Sequence, residues 1–190
     1  MNANAPLSER EDAILDAAFH AFAGYGYRRV TMEDIAAGAG LSRTALYQHF
    51  RNKEDIFRSL SDRYFKLCLV EMERALQTDG PAAQVLQAAF VAKDGKFMDV
   101  VLGTPHGREL LDAGFAIAAE AAGLAEARMS AMLADWLVGQ GAADCLGDPV
   151  LAGATLVAAL KGLKTSARTL EQYRAGQAML ARMLALSLGR

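Results

Sequence analysis

The sequence predicts an all-α protein of about nine to ten helices, on three observations. Apolar residues recur along most of the chain at spacings of three and four residues, which place them on one side of a helix. No stretch has the alternating polar and apolar pattern of a half-buried strand. Three of the four prolines, Pro81, Pro105 and Pro149, stand where a helix can begin, because proline is tolerated in a first turn and disrupts a helix interior.

The first predicted helix begins at Ser8, which forms a capping box with Glu11. Its apolar stripe consists of Ile14, Leu15, Ala18, Phe19 and Phe22. Gly24 is expected to end this helix, so that Tyr25-Gly26-Tyr27 forms a tight connection to the next element.

Two short helices joined by a glycine turn are predicted next. Thr31 is placed to cap the first of them, and Asp34, three residues later, completes a capping box. Gly38 and Gly40 flank the break, where a positive φ costs glycine little, and the hydroxyl of Ser42 offers a new N-cap for the second helix. This is the layout of a helix-turn-helix element.

The second short helix has a polar face. Its residues divide into an inward set and an exposed set: Ala45, Leu46 and Phe50 inward, and Arg43, Thr44, Tyr47, Gln48 and His49 outward. Arginine can form paired hydrogen bonds to guanine and glutamine to adenine, and the methyl groups of threonine and alanine can contact thymine. These residue types indicate a surface that reads a DNA groove rather than a catalytic site.

The charge of the segment agrees with contact to phosphates. Residues 28–53 carry a net charge of +3 from five basic and two acidic residues, whereas the whole chain carries −2. A local positive patch on an acidic protein suits phosphate binding. The alternative is an ordinary helical hairpin with a solvated face.

The second helix and its flanks read TMEDIAAGAGLSRTALYQHFRNKEDI. This run resembles the DNA-binding domain of the TetR family of transcriptional regulators, in which a leucine and a tyrosine of the recognition helix precede an aromatic residue or histidine, a phenylalanine and a Lys-Glu pair. The matching residues here are Leu46, Tyr47, His49, Phe50, Lys53 and Glu54. The resemblance runs from about Ser8 to Tyr64, and its main departure is Thr44, where the family often has glycine.

The resemblance and the residue chemistry together predict a site for double-stranded DNA. Its candidate residues are Arg29, Thr31, Ser42, Arg43, Thr44, Ala45, Tyr47, Gln48, His49 and Lys53. Of these, Thr31, Tyr47 and Lys53 are expected to hold phosphates, which set the register. The candidate base readers are Arg43, Thr44, Ala45 and Gln48.

The predicted organisation has two domains. An N-terminal three-helix DNA-binding domain covers residues 1–65, and a helical ligand-binding and dimerisation domain covers residues 66–190. A fourth helix, capped by Asn52 with Asp55, is expected to continue to about Leu76. Further helices are predicted near 82–93, 95–102, 105–113, 115–139, 149–165 and 168–188, with a loop over 139–149.

The last two predicted helices are apolar on too many sides for surface helices. From Ala178 to Leu188 only Arg182 and Ser187 are polar, and the preceding helix carries small residues that permit close approach. They are therefore predicted to form a homodimer interface, as the TetR family typically does with its last two helices. The candidates are Leu151, Ala154, Ala158, Gly162, Tyr173, Met179, Leu180, Met183 and Leu184. The alternative is a monomer in which both helices are core.

A dimer also predicts the form of the DNA site. Two recognition helices related by a two-fold axis read half-sites about 34 Å apart, in successive major grooves. The expected operator is therefore pseudo-palindromic.

An aromatic and thioether set in the central helices is a candidate effector site. It consists of Phe90, Phe97, Met98, Phe115, Met129, Met132 and Trp136, which are adaptable enough to line an apolar cavity. The alternative is that these residues are plain core. A cavity lined in this way would take a small, mainly hydrophobic effector.

The composition favours a cytoplasmic protein that does not span a membrane. The first seven residues, MNANAPL, lack the basic start and apolar core of a signal peptide. No uninterrupted apolar run reaches the roughly 18 residues that a membrane span needs. Cys68 and Cys145 have neither a metal-binding nor a disulfide spacing, which fits reduced thiols.

Catalytic and cofactor motifs are missing from the sequence. His20, His49 and His106 are isolated from one another, and neither a Gly-rich phosphate loop nor a G-x-S-x-G elbow occurs. We predict a transcriptional regulator that uses no cofactor. Repression is the expected mode, because a dimer on a promoter obstructs polymerase, and activation is the alternative. Two other classes remain open: an all-helical enzyme, and a helical scaffold that binds another protein and not DNA.

Overall fold

The computed structural model describes residues 8–189, without the side chains of residues 113–115 and 143–144. All regular structure in this part is helical, as predicted, with ten helices of at least seven residues and one helix of four. They are α1 (Glu9–Tyr25), α2 (Met32–Gly38), α3 (Arg43–His49), α4 (Lys53–Leu76), α5 (Ala82–Ala92), α6 (Phe97–Gly103), α7 (Gly107–Ile117), α8 (Ala119–Gly139), α9 (Ala143–Leu146), α10 (Pro149–Ser166) and α11 (Leu170–Ser187).

The chain divides into two compact units. Unit 1 is the described part of Met1–Arg63 together with Thr104–Ala119, and unit 2 is the described part of Tyr64–Gly103 and Glu120–Arg190. Helix α7 therefore belongs to unit 1, although it lies between two segments of unit 2 in the sequence. The division into functional domains at residues 65 and 66 stays a prediction.

Unit 1 has its own apolar core. Helix α1 packs on α2 and α7, and α2 packs on α3. The fully buried side chains include Ile14, Leu15, Phe22, Ile35, Leu46 and Ile56. Arg63 on α4 forms ion pairs with Asp12 at 3.1 Å and Asp16 at 2.6 Å, both on α1.

The end of α1 differs from the prediction. The helix continues through Gly24 to Tyr25, and Gly26 follows with a φ of +85°. The Gly26 N–H donates to the carbonyl of Phe22 at 2.9 Å. A left-handed residue closes a helix most easily when it is glycine, so Gly26 rather than Gly24 ends α1.

Unit 2 is built around a second core. Helix α11 packs on α5, α6 and α10. The fully buried residues of this core include Met72, Leu86, Phe90, Leu133, Leu137 and Leu160. Helices α8 and α10 approach closely at Gly153, where an added Cβ would clash with the Ser130 carbonyl oxygen and lie 3.2 Å from the Ala134 nitrogen.

Two predicted boundaries in the middle of the chain were wrong. Helix α7 runs through Gly114 to Ile117, because the penalty for one glycine in a helix, about 1 kcal/mol, is small enough for its surroundings to override. The predicted loop over 139–149 contains the single-turn helix α9, Ala143–Leu146. By contrast, α4 ends at Leu76, as predicted.

No helix in the described residues is both long enough and apolar enough to cross a membrane.

Candidate nucleic-acid interface

Helix α2 is fixed at its start by a complete capping box. The Thr31 hydroxyl accepts the Asp34 N–H at 3.2 Å and donates to the Asp34 carboxylate at 2.8 Å, which also accepts the Thr31 N–H at 2.9 Å. The hydrogen bonds from Thr31, first of all from its backbone, lower the pKa of Asp34. Thr31 is therefore engaged in capping, and its expected contact to a phosphate stays a prediction.

The turn between α2 and α3 has the predicted positive φ at Gly40 but not at Gly38, which is the last residue of α2. Gly40 has a φ of +67°, and the Leu41 N–H donates to the Ala36 carbonyl at 2.8 Å. Ser42 then starts α3, because its hydroxyl accepts the Ala45 N–H at 3.1 Å. These contacts fix where α3 begins and so which of its residues face outward.

Helix α3 divides as the sequence predicts except at Ala45, which was expected inward, and His49, which was expected outward. Leu46 is 0% exposed and anchors the helix to the core of unit 1, followed by Phe50 at 2%. The exposed side chains are Arg43, Thr44, Tyr47 and Gln48, with Ala45 and His49 at intermediate exposure. The four exposed side chains therefore lie on one side of the helix.

Arg43 is not an isolated cation. Its guanidinium forms an ion pair with Glu33 on α2 and lies 5.5 Å from the centre of the Tyr47 ring. The Arg43 side chain is still 63% exposed and that of Glu33 50%. Arg43 can therefore turn to a base edge only by leaving this carboxylate or sharing it.

Lys53 is bound more tightly than the sequence suggested. Its ammonium donates to three carbonyls: Tyr27 at 2.7 Å, Val30 at 2.8 Å and Arg28 at 3.2 Å. Burial lowers the pKa of Lys53, and the carboxylate of Glu109 opposes this shift. Since all three N–H donors have an acceptor, a phosphate would have to share them.

The loop from residue 26 to residue 30 is held from α7 as well. The Glu109 carboxylate accepts the Arg28 N–H at 2.7 Å and packs against Gly26, where an added Cβ would clash with it. Arg28 and Arg29 are both exposed on this loop. Glu109 and Lys53 thus fix the loop that leads into α2, and neither role was predicted from the sequence.

The remaining basic residue at this end of the unit is paired locally. Arg51, whose side chain is 83% exposed, lies 2.9 Å from Asp55. Asn52 caps α4 by accepting the Asp55 N–H at 2.8 Å, as predicted. The hydrogen bond from Arg51 lowers the pKa of Asp55.

The candidate effector residues are mostly core in unit 2. Phe90, Met98, Met129 and Met132 are at most 7% exposed, and Phe97 and Trp136 are half-buried. The side chain of Phe115 lies outside the described residues. Two open grooves in this unit have other linings, one between α8 and α10 and one of about 430 Å³ between α10 and α11.

The candidate dimer residues fall into two groups. Leu151, Met179 and Met183 are at least half exposed, and Ala154, Ala158 and Gly162 are exposed on α10. Leu180 is half-buried and Leu184 is 9% exposed. Tyr173 is 0% exposed, which removes it from any outer face of this protomer. The prediction treated Tyr173 as part of an apolar face, whereas its ring and hydroxyl are used inside unit 2.

No cluster of three or more His, Cys, Asp or Glu that could hold a metal ion occurs among the described residues.

A family model covers the helix-turn-helix segment. Residues 14–60 match the model described as bacterial regulatory proteins, tetR family. The match includes most of α1, all of α2 and α3, and the start of α4.

Two curated relatives match about half of the chain. The HTH-type transcriptional activator FasR of Mycolicibacterium smegmatis is 32% identical over 106 residues, which are 56% of this chain and 47% of FasR. The HTH-type transcriptional repressor ComR of Escherichia coli is 31% identical over 81 residues, which are 43% of this chain and 39% of ComR. The chain therefore spans less than half the length of either relative.

Solved structures extend the likeness to nearly the whole chain. SmeT, the repressor of the Stenotrophomonas maltophilia multidrug efflux pump SmeDEF, has a TM-score of 0.65 at 23% identity, over 98% of this chain and 91% of SmeT. A SmeT–triclosan complex has a TM-score of 0.66 at 22% identity, over 94% of this chain and 90% of that one. At such identities the likeness establishes the shared fold.

Proposed function

The chain belongs to the TetR family of helix-turn-helix transcriptional regulators, and on that premise we propose that it is a homodimeric, ligand-responsive repressor. The observation that carries the proposal is the exposed face of α3, where Arg43, Thr44, Tyr47 and Gln48 lie on a helix anchored by the buried Leu46. Side chains of these types can bond both base edges and phosphates in a major groove. The proposed partner is double-stranded DNA with a pseudo-palindromic sequence.

The exposed apolar side chains of α10 and α11 support the dimer. Leu151 is 64% exposed, Met183 60% and Leu186 77%. Apolar groups of this size gain free energy when a second subunit removes them from water, about 25 cal/mol for each Å² buried. A second copy of the same chain would bring two α3 helices to one DNA site.

Regulation by a small molecule is the remaining part of the proposal. SmeT, a structurally similar repressor, forms a complex with the small ligand triclosan. An effector that binds unit 2 better in the state that does not bind DNA lowers operator affinity by the same factor by which DNA lowers effector affinity. We place this regulator in the cytoplasm, where operator and effector meet.

Selection of the full-length protein on random DNA duplexes tests the proposal. We expect enrichment of one inverted repeat, and a loss of about tenfold or more in affinity for it in Gln48→Ala, since one paired base contact is worth about 1–3 kcal/mol. The control is Gln77→Ala, at an exposed position just after α4, which should bind like the parent protein. Enrichment of no inverted repeat, or equal binding by Gln48→Ala, would contradict the proposal.

A helical scaffold that binds another protein is the second candidate, supported by the same exposed apolar side chains on α10 and α11. It has no use for the polar face of α3. A protein that forms stable complexes through α10 and α11 but enriches no duplex would favour it.

A further inference from the structure

A buried cluster of charges in unit 2 plays no part in reading DNA. Asp94, which follows α5 and is 1% exposed, lies between two lysines. Its Oδ1 is 2.8 Å from Nζ of Lys93 and 3.6 Å from Nζ of Lys164. Its Oδ2 accepts hydrogen bonds from the Tyr173 hydroxyl and, at 3.1 Å, from Nε2 of Gln177.

The cluster carries one positive charge too many, because one carboxylate faces two ammonium groups. The adjacent Cys68 does not supply the missing negative charge, since burial raises the pKa of its thiol to about 11. Tyr64, whose hydroxyl donates to the Asp94 carbonyl at 2.8 Å, has its pKa raised by burial and is neutral as well. Arg174 at the edge of the cluster is balanced by Asp99 at 3.2 Å.

Of the two ammonium groups, that of Lys164 is paired less closely with Asp94. Both Asp94 oxygens already accept hydrogen bonds from other groups, and Lys164 lies beyond hydrogen-bonding distance of the nearer one. Burial lowers the pKa of Lys164, and the attraction of Asp94 offsets this shift in part. A buried ammonium is destabilised unless an anion pairs with it.

The surroundings of Lys164 suit an anion with an apolar body. The Lys164 side chain is 17% exposed, and its ammonium lies 5.2 Å from the centre of the Phe97 ring. The rings of Phe97 and Tyr64, both half-buried, have centroids 5.0 Å apart. A ligand whose acid group pairs with this ammonium would therefore lie beside aromatic carbon.

We propose that unit 2 binds an organic carboxylate, with its acid group paired to Lys164 and its apolar body beside Phe97 and Tyr64. This proposal rests on the proposed function, because it names the charge of the effector. It adds an acid group to the mainly hydrophobic compound that the sequence predicted.

Calorimetric titration of the full-length protein without DNA tests the site. The probes are octanoate and 2-naphthoate, each paired with its neutral amide. At least one acid is expected to bind about tenfold to a hundredfold more tightly than its amide, as an ion pair with hydrogen bonds implies. Equal affinity of acid and amide, or no saturable binding of either acid up to about 10 mM, would overturn the proposal.

Variants locate the binding. In Lys164→Met the affinity for the acid is expected to fall to that of the amide. The matched control is Lys161→Met on the same helix, whose ammonium is exposed and paired with Glu126 at 2.8 Å, and it should bind the acid like the parent protein. Unchanged acid binding in Lys164→Met would also overturn the proposal. If that variant does not fold, the comparison of acid with amide on the parent protein still tests the proposal.

The results can distinguish a failure of this binding site from a failure of the proposed function. Acid binding that leaves operator affinity unchanged would support this site and contradict regulation through it. Release of the operator by neutral compounds alone, with no acid bound, would contradict this site and leave the regulator in place.

Discussion

The chemistry of the exposed face of α3 depends on single residues, as Arg43 shows. The same guanidinium that is suited to a guanine edge is held by Glu33, one helix earlier. A carboxylate repels the DNA phosphates, and Arg43 must leave or share Glu33 to reach a base edge, so we expect the ion pair to oppose DNA binding.

Replacing Glu33 tests this competition. Glu33→Gln is expected to raise operator affinity by a few-fold, because exposed ion pairs are worth at most about 1 kcal/mol. Fluorescence anisotropy with labelled operator gives the affinity, and Glu9→Gln, an exposed change in the first turn of α1, serves as the control. Unchanged or weaker binding in Glu33→Gln would mean that Arg43 does not contact DNA.

Asp94 has the largest predicted effect on stability. Asp94→Asn leaves Lys93 and Lys164 buried without a carboxylate and is expected to cost about 3–5 kcal/mol in the free energy of unfolding. Asp99→Asn is the control, since its carboxylate is 49% exposed and an exposed pair contributes at most about 1 kcal/mol. Urea denaturation at pH 7 measures both, and equal losses would contradict the account.

The pH dependence of this effect follows from the pKa of Asp94. Burial alone would raise that pKa, but the charges of Lys93 and Lys164 and the hydrogen bonds from Lys93 and Tyr173 lower it. A carboxyl with a lowered pKa in the folded state stabilises the protein above its unfolded pKa, about 3.9, and loses that contribution as the pH falls through the folded value. The difference between the parent protein and Asp94→Asn should therefore shrink below about pH 4.

For single residues, the sequence predicted the contacts between residues that are close together in the chain. The caps formed by Thr31, Ser42 and Asn52 join residues three apart, so the letters alone identify them. Pairs such as Lys53 with the Val30 carbonyl, or Tyr173 with Asp94, join residues far apart in sequence. No spacing rule predicts these pairs, because they depend on how the helices pack.

At the scale of the helices, the periodic pattern found every long element. It missed α9, because a single turn leaves no periodicity, and it misplaced the end of α1, where Gly24 and Gly26 compete as terminators. It also could not tell the buried side of α11 from the exposed one. Both sides are apolar, yet Leu184 is 9% exposed and Met183 60%.

The close packing of α8 against α10 predicts how substitutions of glycine affect stability. Gly153→Ala is expected to destabilise the protein by about 1–3 kcal/mol, because the added methyl group meets the backbone at Ser130 and Ala134. In the control, Gly123→Ala on α8, nothing lies within 4 Å of the added methyl group, and alanine should stabilise the helix by about 0.5–1 kcal/mol. Thermal unfolding measures both, and equal shifts would contradict the packing of α10 on α8.

At the scale of the whole molecule, the proposed function depends on two copies of one chain. The sequence predicted the all-α fold and the reading helix, because both rest on periodicity and caps. The proposed effector site is different: most of the residues expected from the sequence are core, and Lys164 comes to lie 3.6 Å from Asp94 only when α5, α10 and α11 meet.

We propose that this protein reads DNA with two α3 helices, one from each of two copies that are joined through α10 and α11. The deciding measurement compares the affinity for a selected inverted repeat with the affinity for a single half-site, in the parent protein and in Met183→Lys. The control is Leu67→Lys on α4, which also replaces an exposed apolar side chain. The parent protein and the control are expected to prefer the inverted repeat by about a hundredfold or more, as a second engaged head implies, and Met183→Lys to lose that preference. Equal affinity of the parent protein for the half-site and the inverted repeat would contradict the account.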